Sequence, residues 1–372
     1  MKFTIEKSVL FKALGHVQSV VEKQNTIPIL SNVRFEVNEG KMRLNATDME
    51  LEISESVPVQ TVTPGSTTVP AHTLFSIVRR LPDGAEVLIE TQGNNRLTLT
   101  AGRYNTELGV LPVDDFPLMA ASDAKALRFK VDAFQLCRLI DRTRFAMSTE
   151  ETRYFLNGIY FHEADEDGTP VLRAVATDGH RLARVDAPLP TGAKGMPGVI
   201  IPRKTVTELR KLLDGVEEEV EIAISESRIS FRFDNIHLIS RLIDGTFPDY
   251  KRVIPEGAKQ VLETNVKVFA NAVDRVSAIS TDRSRAIKLA IADNILRLSI
   301  VSAETGSADE ELEVKWDGGK LDIGFNVKYL LEITQQLEGD AMEIALQDSN
   351  SQAIIREPGD ESSLFVIMPM RV

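Results

Sequence analysis

The stretch PAHTLFSIVRRLPDGAEVLIE, residues 70–90, combines an amphipathic helix, a glycine stop and an alternating strand, and the chain contains this pattern three times. Counting from Pro70, Pro202 and Asn326, apolar residues fall four, seven and eleven positions later: Leu74, Ile77 and Leu81, then Val206, Leu209 and Leu213, then Leu330, Ile333 and Leu337. This spacing puts one apolar stripe on each helix. A glycine follows each helix (Gly84, Gly215, Gly339) and reads as its C-cap. Short alternating strands come next, Glu86 to Glu90, Val220 to Ile224 and Met342 to Leu346.

Other landmarks recur. Ala46-Thr47-Asp48 is echoed by Ala176-Thr177-Asp178, and Phe116-Pro117 by Phe247-Pro248. A further amphipathic helix opens each third, at about 8–21, 132–147 and 264–279, after short strands such as Lys2 to Ile5 and Arg128 to Val131. Alternating segments such as Lys41 to Ile53, Val171 to Val185 and Arg228 to Ile239 read as strands joined by polar turns. The expected class is α+β, three repeated domains with two helices each on antiparallel sheets. Boundaries belong in the Pro-containing stretches after Phe116 and Phe247, giving domains 1–125, 126–253 and 254–372.

Composition narrows the function. A chain of 372 residues with one cysteine, Cys137, cannot form an intrachain disulfide, and it carries neither a signal-like apolar segment nor a membrane-length apolar run. A cytoplasmic protein without a membrane partner is expected. The five histidines are scattered without metal-ligand spacing, and no phosphate-cradling glycine motif occurs, so neither metal nor cofactor is expected. Asp178 and His180, which share a face if the segment is a strand, could with Arg181 be read as an acid–base group, but no nucleophile accompanies them, which argues against an enzyme.

The formal net charge of −12 alone argues against nucleic acid. The six expected helices nevertheless sum to +8, leaving −20 for the rest. Arg203, Lys204, Arg210 and Lys211 cluster, joined by Arg79, Arg80, Arg138, Arg142 and Arg144, and more thinly by Lys267, Arg275 and Lys328. Helices gathered on one surface would attract a polyanion there while acidic surfaces repel it elsewhere. Solvated helix faces are the plainer explanation for any one helix. A peptide-binding scaffold with no DNA role is the alternative function, and it gives no reason for the uneven charge.

Arg153-Tyr154-Phe155-Leu156-Asn157-Gly158, Ala176-Thr177-Asp178-Gly179-His180-Arg181-Leu182, Phe247-Pro248-Asp249-Tyr250-Lys251-Arg252-Val253 and Met368-Pro369-Met370-Arg371, with the opening Met1-Lys2-Phe3, closely resemble the bacterial beta sliding clamps, the beta subunits of DNA polymerase III, over the whole chain. The resemblance implies a head-to-tail homodimer forming a six-domain ring around duplex DNA. It implies tethering of the DNA polymerase III catalytic subunit and of other polymerases and repair proteins bearing a clamp-binding motif, and placement by an ATP-driven clamp loader.

It also implies a hydrophobic peptide groove at Leu156, Thr177, Gly179, His180, Arg181, Leu182, Pro248, Arg252, Val253, Tyr329, Val366, Ile367, Met368, Pro369, Met370 and Arg371. Methionines suit many partners, Tyr329 would gate the pocket, and Arg181, Arg252 and Arg371 would reach peptide carboxylates or carbonyls. DNA-facing candidates are Lys23, Gln24, Arg79, Arg80, Arg203 and Lys204; Glu150, acidic in a DNA-facing loop, is left out. Asn350 and Val372 depart from the family pattern near the groove.

Overall fold

The computed structural model describes every residue except 23–24, 94, 120–124 and 281–284. The first third holds strands β1 (Lys2–Glu6), β2 (Asn32–Asn38), β3 (Lys41–Thr47), β4 (Leu51–Pro58), β5 (Gln60–Thr63), β6 (Gly65–Pro70), β7 (Glu86–Gln92), β8 (Arg96–Ala101) and β9 (Tyr104–Gly109). The middle third holds β10 (Leu127–Asp132), β11 (Gly158–Glu166), β12 (Thr169–Thr177), β13 (Arg181–Pro188), β14 (Val199–Pro202), β15 (Glu219–Ile224), β16 (Arg228–Phe233) and β17 (Ile236–Arg241). The last holds β18 (Gln260–Asn265), β19 (Ala286–Ala292), β20 (Ile295–Ser302), β21 (Gly306–Glu313), β22 (Lys315–Trp316), β23 (Leu321–Asn326), β24 (Ala341–Leu346), β25 (Ala353–Arg356) and β26 (Ser363–Ile367).

Two α-helices lie in each third: α1 (Lys7–Val17) and α2 (Ala71–Arg80), α3 (Ala133–Arg144) and α4 (Arg203–Leu212), α5 (Val266–Ser277) and α6 (Val327–Thr334). The apolar stripes are the buried ones, as at Leu74, Val206, Leu209, Leu330 and Ile333. Side chains open several helices: Glu6 accepts from Ser8 N, Asn265 from Val268 N, and Asn326 from Lys328 N and Tyr329 N, satisfying amides that have no partner within the helix. The glycines are not the C-caps that the sequence suggested. The first two helices end at Arg80 and Leu212, so Gly84 and Gly215, at φ +72° and +76°, instead make the turns into the next strands.

Among the described residues the strands pair antiparallel into four sheets, and the chain divides into two compact units. The first unit (1–134, 190–196, 204–242) contains a five-stranded sheet, β5-β1-β7-β8-β9, and an eight-stranded one, β10-β15-β16-β17-β4-β3-β2-β6. The second (135–189, 197–203, 243–372) contains a nine-stranded sheet, β14-β11-β12-β13-β26-β25-β24-β18-β22, and a four-stranded one, β21-β20-β19-β23. Compactness therefore follows the sheets. The middle third gives β10 and β15–β17 to the first unit and β11–β14 to the second.

Each large sheet joins two repeats at an antiparallel seam. In the first unit β17 lies on β4 with Leu238 opposite Ile53; in the second β26 lies on β13 with Val366 opposite Leu182. Each seam covers two edges whose bare N–H and C=O groups would otherwise invite foreign strands.

Candidate functional site: an apolar groove in the second unit

The seam between β13 and β26 forms the floor of the site. Leu156, Val175, Leu182, Ile200, Phe247, Tyr250 and Val366 make a buried apolar cluster, with Phe155, Tyr160, Ile243, Val253, Ile254 and Leu364 half-buried around it. Strand alternation selects this face: Leu364 and Val366 join the cluster, whereas Phe365 and Ile367 lie on the strand's other side, each 0 % exposed. Ile367 thus contributes backbone only, a correction to the expected groove lining.

Four rings stiffen one wall. Tyr160 stacks on Phe247 with centroids 4.8 Å apart and on His162 at 4.2 Å, and His162 Nε2 lies 3.1 Å from the Tyr250 hydroxyl. Burial, then the nearby charges of Arg173 and Lys251, pushes His162 down to about 4, so it is neutral near pH 7. Behind it Arg173 is buried and donates Nε and Nη2 to Asp186 at 2.7 Å each, with a further bond to Glu166. Burial opposes its charge, but these partners outweigh burial and raise its pKa.

The β12–β13 turn shapes the opposite rim. Asp178 Oδ1 accepts from the amides of His180 and Arg181, and the Thr177 hydroxyl donates to Arg181 O at 2.6 Å. Gly179 adopts φ +89°, where a Cβ would also meet the Arg153 guanidinium at 2.9 Å. Asp178 and His180 therefore belong to a turn rather than a strand face, and the carboxylate is occupied in holding that turn. This overturns the strand placement on which the acid–base reading rested.

Arg181 is committed to the protein. It bonds Asp178, Glu332 and Phe145 O, and its guanidinium sits 4.3 Å from the centre of the Tyr329 ring. Only 7 % exposed, it orients Tyr329 and is not available to peptide carboxylates, a second correction. His180 is stacked 6.4 Å from the same ring. Burial, with Asp178 nearby, raises the Tyr329 hydroxyl.

The C-terminal residues are sewn across the site. Met368 N donates to His180 O at 2.9 Å and Met370 N to Gly324 O at 2.8 Å. Gly324 has no room for a side chain, since a Cβ there would lie 2.3 Å from Val372. Met368 and Pro369 are half-buried, and Met370 and Arg371 exposed. Pro248 and Arg252 lie on the exposed rim; the Arg252 side chain is 83 % exposed and tied to Asp249. Asn350 sits in an exposed turn where its amide donates to Asp348.

The sequence reading missed Val175, Ile200, Tyr160, Phe247 and Tyr250 as groove residues. A signal existed for two of them: Val175 is two positions before Thr177 on the same strand, and Phe247 repeats Phe116.

The basic residues sort unevenly. Arg79 and Arg80 are exposed at the end of α2, and Arg203 is exposed at the start of α4. Lys204 is held by Asp48 at 2.5 Å and by Glu22 at 3.6 Å, so its charge is offset locally. Lys23 and Gln24 lie outside the described residues. On α3, Arg142 is 4 % exposed and pairs with Glu357 at 2.6 Å and Asp360 at 3.1 Å, while Arg138 donates to Ser362 at 2.7 Å. Both are structural ties, not part of a free basic face.

Three similar α+β repeats joined by edge-to-edge seams, with an apolar groove beside the C terminus, define a protein of repeated clamp-like domains. Family profiles of the DNA polymerase III beta subunit match residues 1–120 (N-terminal domain), 130–249 (central domain) and 251–371 (C-terminal domain). The chain is 48 % identical over 373 residues to the beta sliding clamp of Caulobacter vibrioides and 36 % over 375 residues to that of Escherichia coli K12, each match covering 100 % of both proteins. A crystal structure of the Bartonella birtlesii DnaN sliding clamp bound to griselimycin superposes with a TM-score of 0.97 at 46 % identity, covering 100 % of each chain. The chain belongs to the beta sliding clamp family, the beta subunits of DNA polymerase III.

Proposed function

We propose that two copies close head to tail into a ring around duplex DNA and that the groove tethers replication and repair proteins to it. The unpaired edges carry this reading. In the repeat pattern, β21 holds the place of β4 and β13, and β9 the place of β17 and β26. Those four strands meet at the two seams within the chain, whereas β9 and β21 end their sheets. A third seam of the same kind would join β21 of one copy to β9 of the next, and a head-to-tail contact closes when its rotation does. The β21 edge bears Asp309, Glu310, Glu311 and Glu313, while Arg96 and Arg103 lie on and beside β8, next to β9.

Domain boundaries near 125 and 253 fit the restart of the pattern. The reading makes the protein a non-catalytic cytoplasmic processivity factor. DNA would be held loosely, through exposed cations such as Arg79, Arg80 and Arg203. The groove would take the aliphatic and aromatic side chains of a peptide from the polymerase III catalytic subunit, the clamp loader or other clamp-binding proteins. Burying one such side chain contributes about 1.5–3 kcal/mol.

The test is loading onto nicked circular DNA with a competent clamp loader and ATP, followed by a high-salt wash and linearisation. Retention on the circle and loss on cutting is expected. Loss from the intact circle at high salt would leave a peptide-binding scaffold.

A further inference from the structure

The register of the sheets allows the two units to be compared position by position, and the comparison isolates a group of cations in the first unit whose counterparts in the second are neutralised. Thr47 faces Glu52 as Thr177 faces Leu182, so Arg43 on β3 corresponds to Arg173 on β12. The residue opposite Arg173 is Asp186, which binds it through two hydrogen bonds. The residue opposite Arg43 is Ser56.

The same holds one seam away. Arg232 on β16 corresponds to Arg356 on β25, each facing a glutamate across the ladder. Arg356 bonds its Glu343 at 2.9 Å. The facing Glu221 of the first unit pairs instead with Arg128, at 3.2 Å. Among the described residues neither Arg43 nor Arg232 forms an ion pair; Arg43 reaches only the Ser54 hydroxyl, at 3.3 Å. Glu36, also opposite Arg43, is held by Arg34 at 3.0 Å.

With Lys41, these arginines border a cleft of about 420 Å³ also lined by Ser54, Ser56, Asp234 and His237. Three cations against one carboxylate is an unusual grouping on a chain with net charge −12. Burial, then Arg232 and Arg43, pushes His237 down to about 4, so it adds no charge of its own near pH 7.

We propose that this face of the eight-stranded sheet, at Lys41, Arg43 and Arg232 with Ser56, is a docking site for a short acidic segment of a partner protein. Its side-chain carboxylates would take the place that Asp186 fills in the second unit. Arginine receives a carboxylate through two parallel N–H bonds, the geometry Arg173 already shows. A cleft of about 420 Å³ with three cations and Asp234 beside them matches a segment of few carboxylates rather than a long polyanion such as nucleic acid. The site is separate from the apolar groove and does not depend on it.

The experiment uses full-length protein carrying ¹³C-labelled histidine, titrated at low ionic strength with an acetylated, amidated peptide of alternating Glu and Asp. His237 should move saturably, its titration midpoint should rise, and a Gln/Asn peptide should have no effect. The double change Arg43→Gln with Arg232→Gln should weaken binding by at least about tenfold, since the charge-assisted hydrogen bonds to the peptide carboxylates are lost. Ser56→Asp, which supplies the missing carboxylate from within, should do the same, while Arg356→Gln should not. No saturable movement of His237, or binding indifferent to all three arginine and serine changes, overturns the proposal. Inorganic phosphate binding as tightly as the peptide would make this a small-oxyanion site, and tighter binding of a single-stranded oligodeoxynucleotide would make it a nucleic-acid contact; either overturns the peptide assignment.

Discussion

The groove of the second unit has a topological twin in the first, and the twin is polar. Register equates Leu156 with Leu30, Val175 with Asn45, Leu182 with Glu52, Ile200 with Thr68, Tyr160 with Arg34, and Val366 with Ile239. In the twin Asn45 Nδ2 donates to Glu52 at 2.9 Å, Met119 N donates to the same carboxylate at 2.6 Å, and Asn32 Nδ2 donates to the Thr68 hydroxyl at 2.9 Å. Burial raises the Glu52 carboxyl, against these hydrogen bonds. A small apolar group, Ile29, Leu30 and Phe116, is buried there. One backbone thus gives a greasy groove in one unit and a hydrogen-bonded polar cluster in the other. Seam topology provides the place, and four or five side chains decide whether an apolar peptide has anything to bind.

Transplanting the twin's chemistry should have the largest effect. Val175→Asn with Leu182→Glu would recreate the twin's Asn–Glu pair on a floor position 2 % exposed and remove two apolar side chains from the groove, each worth about 1.5–3 kcal/mol of burial. Binding of a Leu/Phe-containing clamp peptide, followed by fluorescence anisotropy on protein shown to be folded by circular dichroism, should weaken by more than about a hundredfold. Affinity within threefold of the parent would break the comparison.

The helices opening the two units' seams offer a second contrast. His16 and Arg142 hold equivalent places, ten residues beyond Glu6 and Asp132, which face Glu86 and Glu219 in matching ladders. His16 makes one contact, to Glu55 at 2.8 Å, whereas Arg142 binds Glu357, Asp360 and Ser363. Arg142→Ala should therefore lower unfolding free energy by about 3 kcal/mol, by removing charge-assisted hydrogen bonds to two half-buried acids, worth about 1.5–3 kcal/mol each. His16→Ala should cost about 1 kcal/mol. Equal denaturation midpoints for the two variants would show that the ties are interchangeable.

A smaller effect concerns acid. His162 in the second unit and His237 in the first are each held near 4, below the ordinary 6.5. The unfolded chain then binds more protons between these values, so stability is full above pH 6.5 and declines as pH falls towards 4, by up to about 1.4 kcal/mol per pH unit for each histidine. His162→Gln should flatten the slope of the urea midpoint against pH in this window by about half of the histidine contribution. An unchanged slope would mean that His162 already titrates normally.

Much of the fold was legible because repetition amplifies weak signals. A single stripe such as Leu74, Ile77 and Leu81 is ordinary, but three with the same offsets are not. The groove was less legible from periodicity, since Val175 and Leu182 look like any alternating strand until β26 is laid beside β13. Its residues came from the resemblance, which identifies positions but not side-chain commitments. Hence Ile367 was assigned to the groove although it faces away, and Arg181 was assigned to peptide although it is spent on Glu332 and Tyr329. The charge reading failed at Arg138 and Arg142 for a related reason: helix composition does not reveal which face meets the acids at Glu357 and Asp360.

The two seams also bear on how the chain can be cut. Because β4 and β13 are each completed by a strand from the following repeat, a break near residue 125 or 253 strips an eight-residue strand bare on one fragment and orphans its mate on the other. Single repeats expressed alone should be sticky and should re-pair with one another when mixed. The smallest piece of this molecule with a finished border is a seam with a half-repeat on either side, so its modules in expression are offset from its modules in sequence.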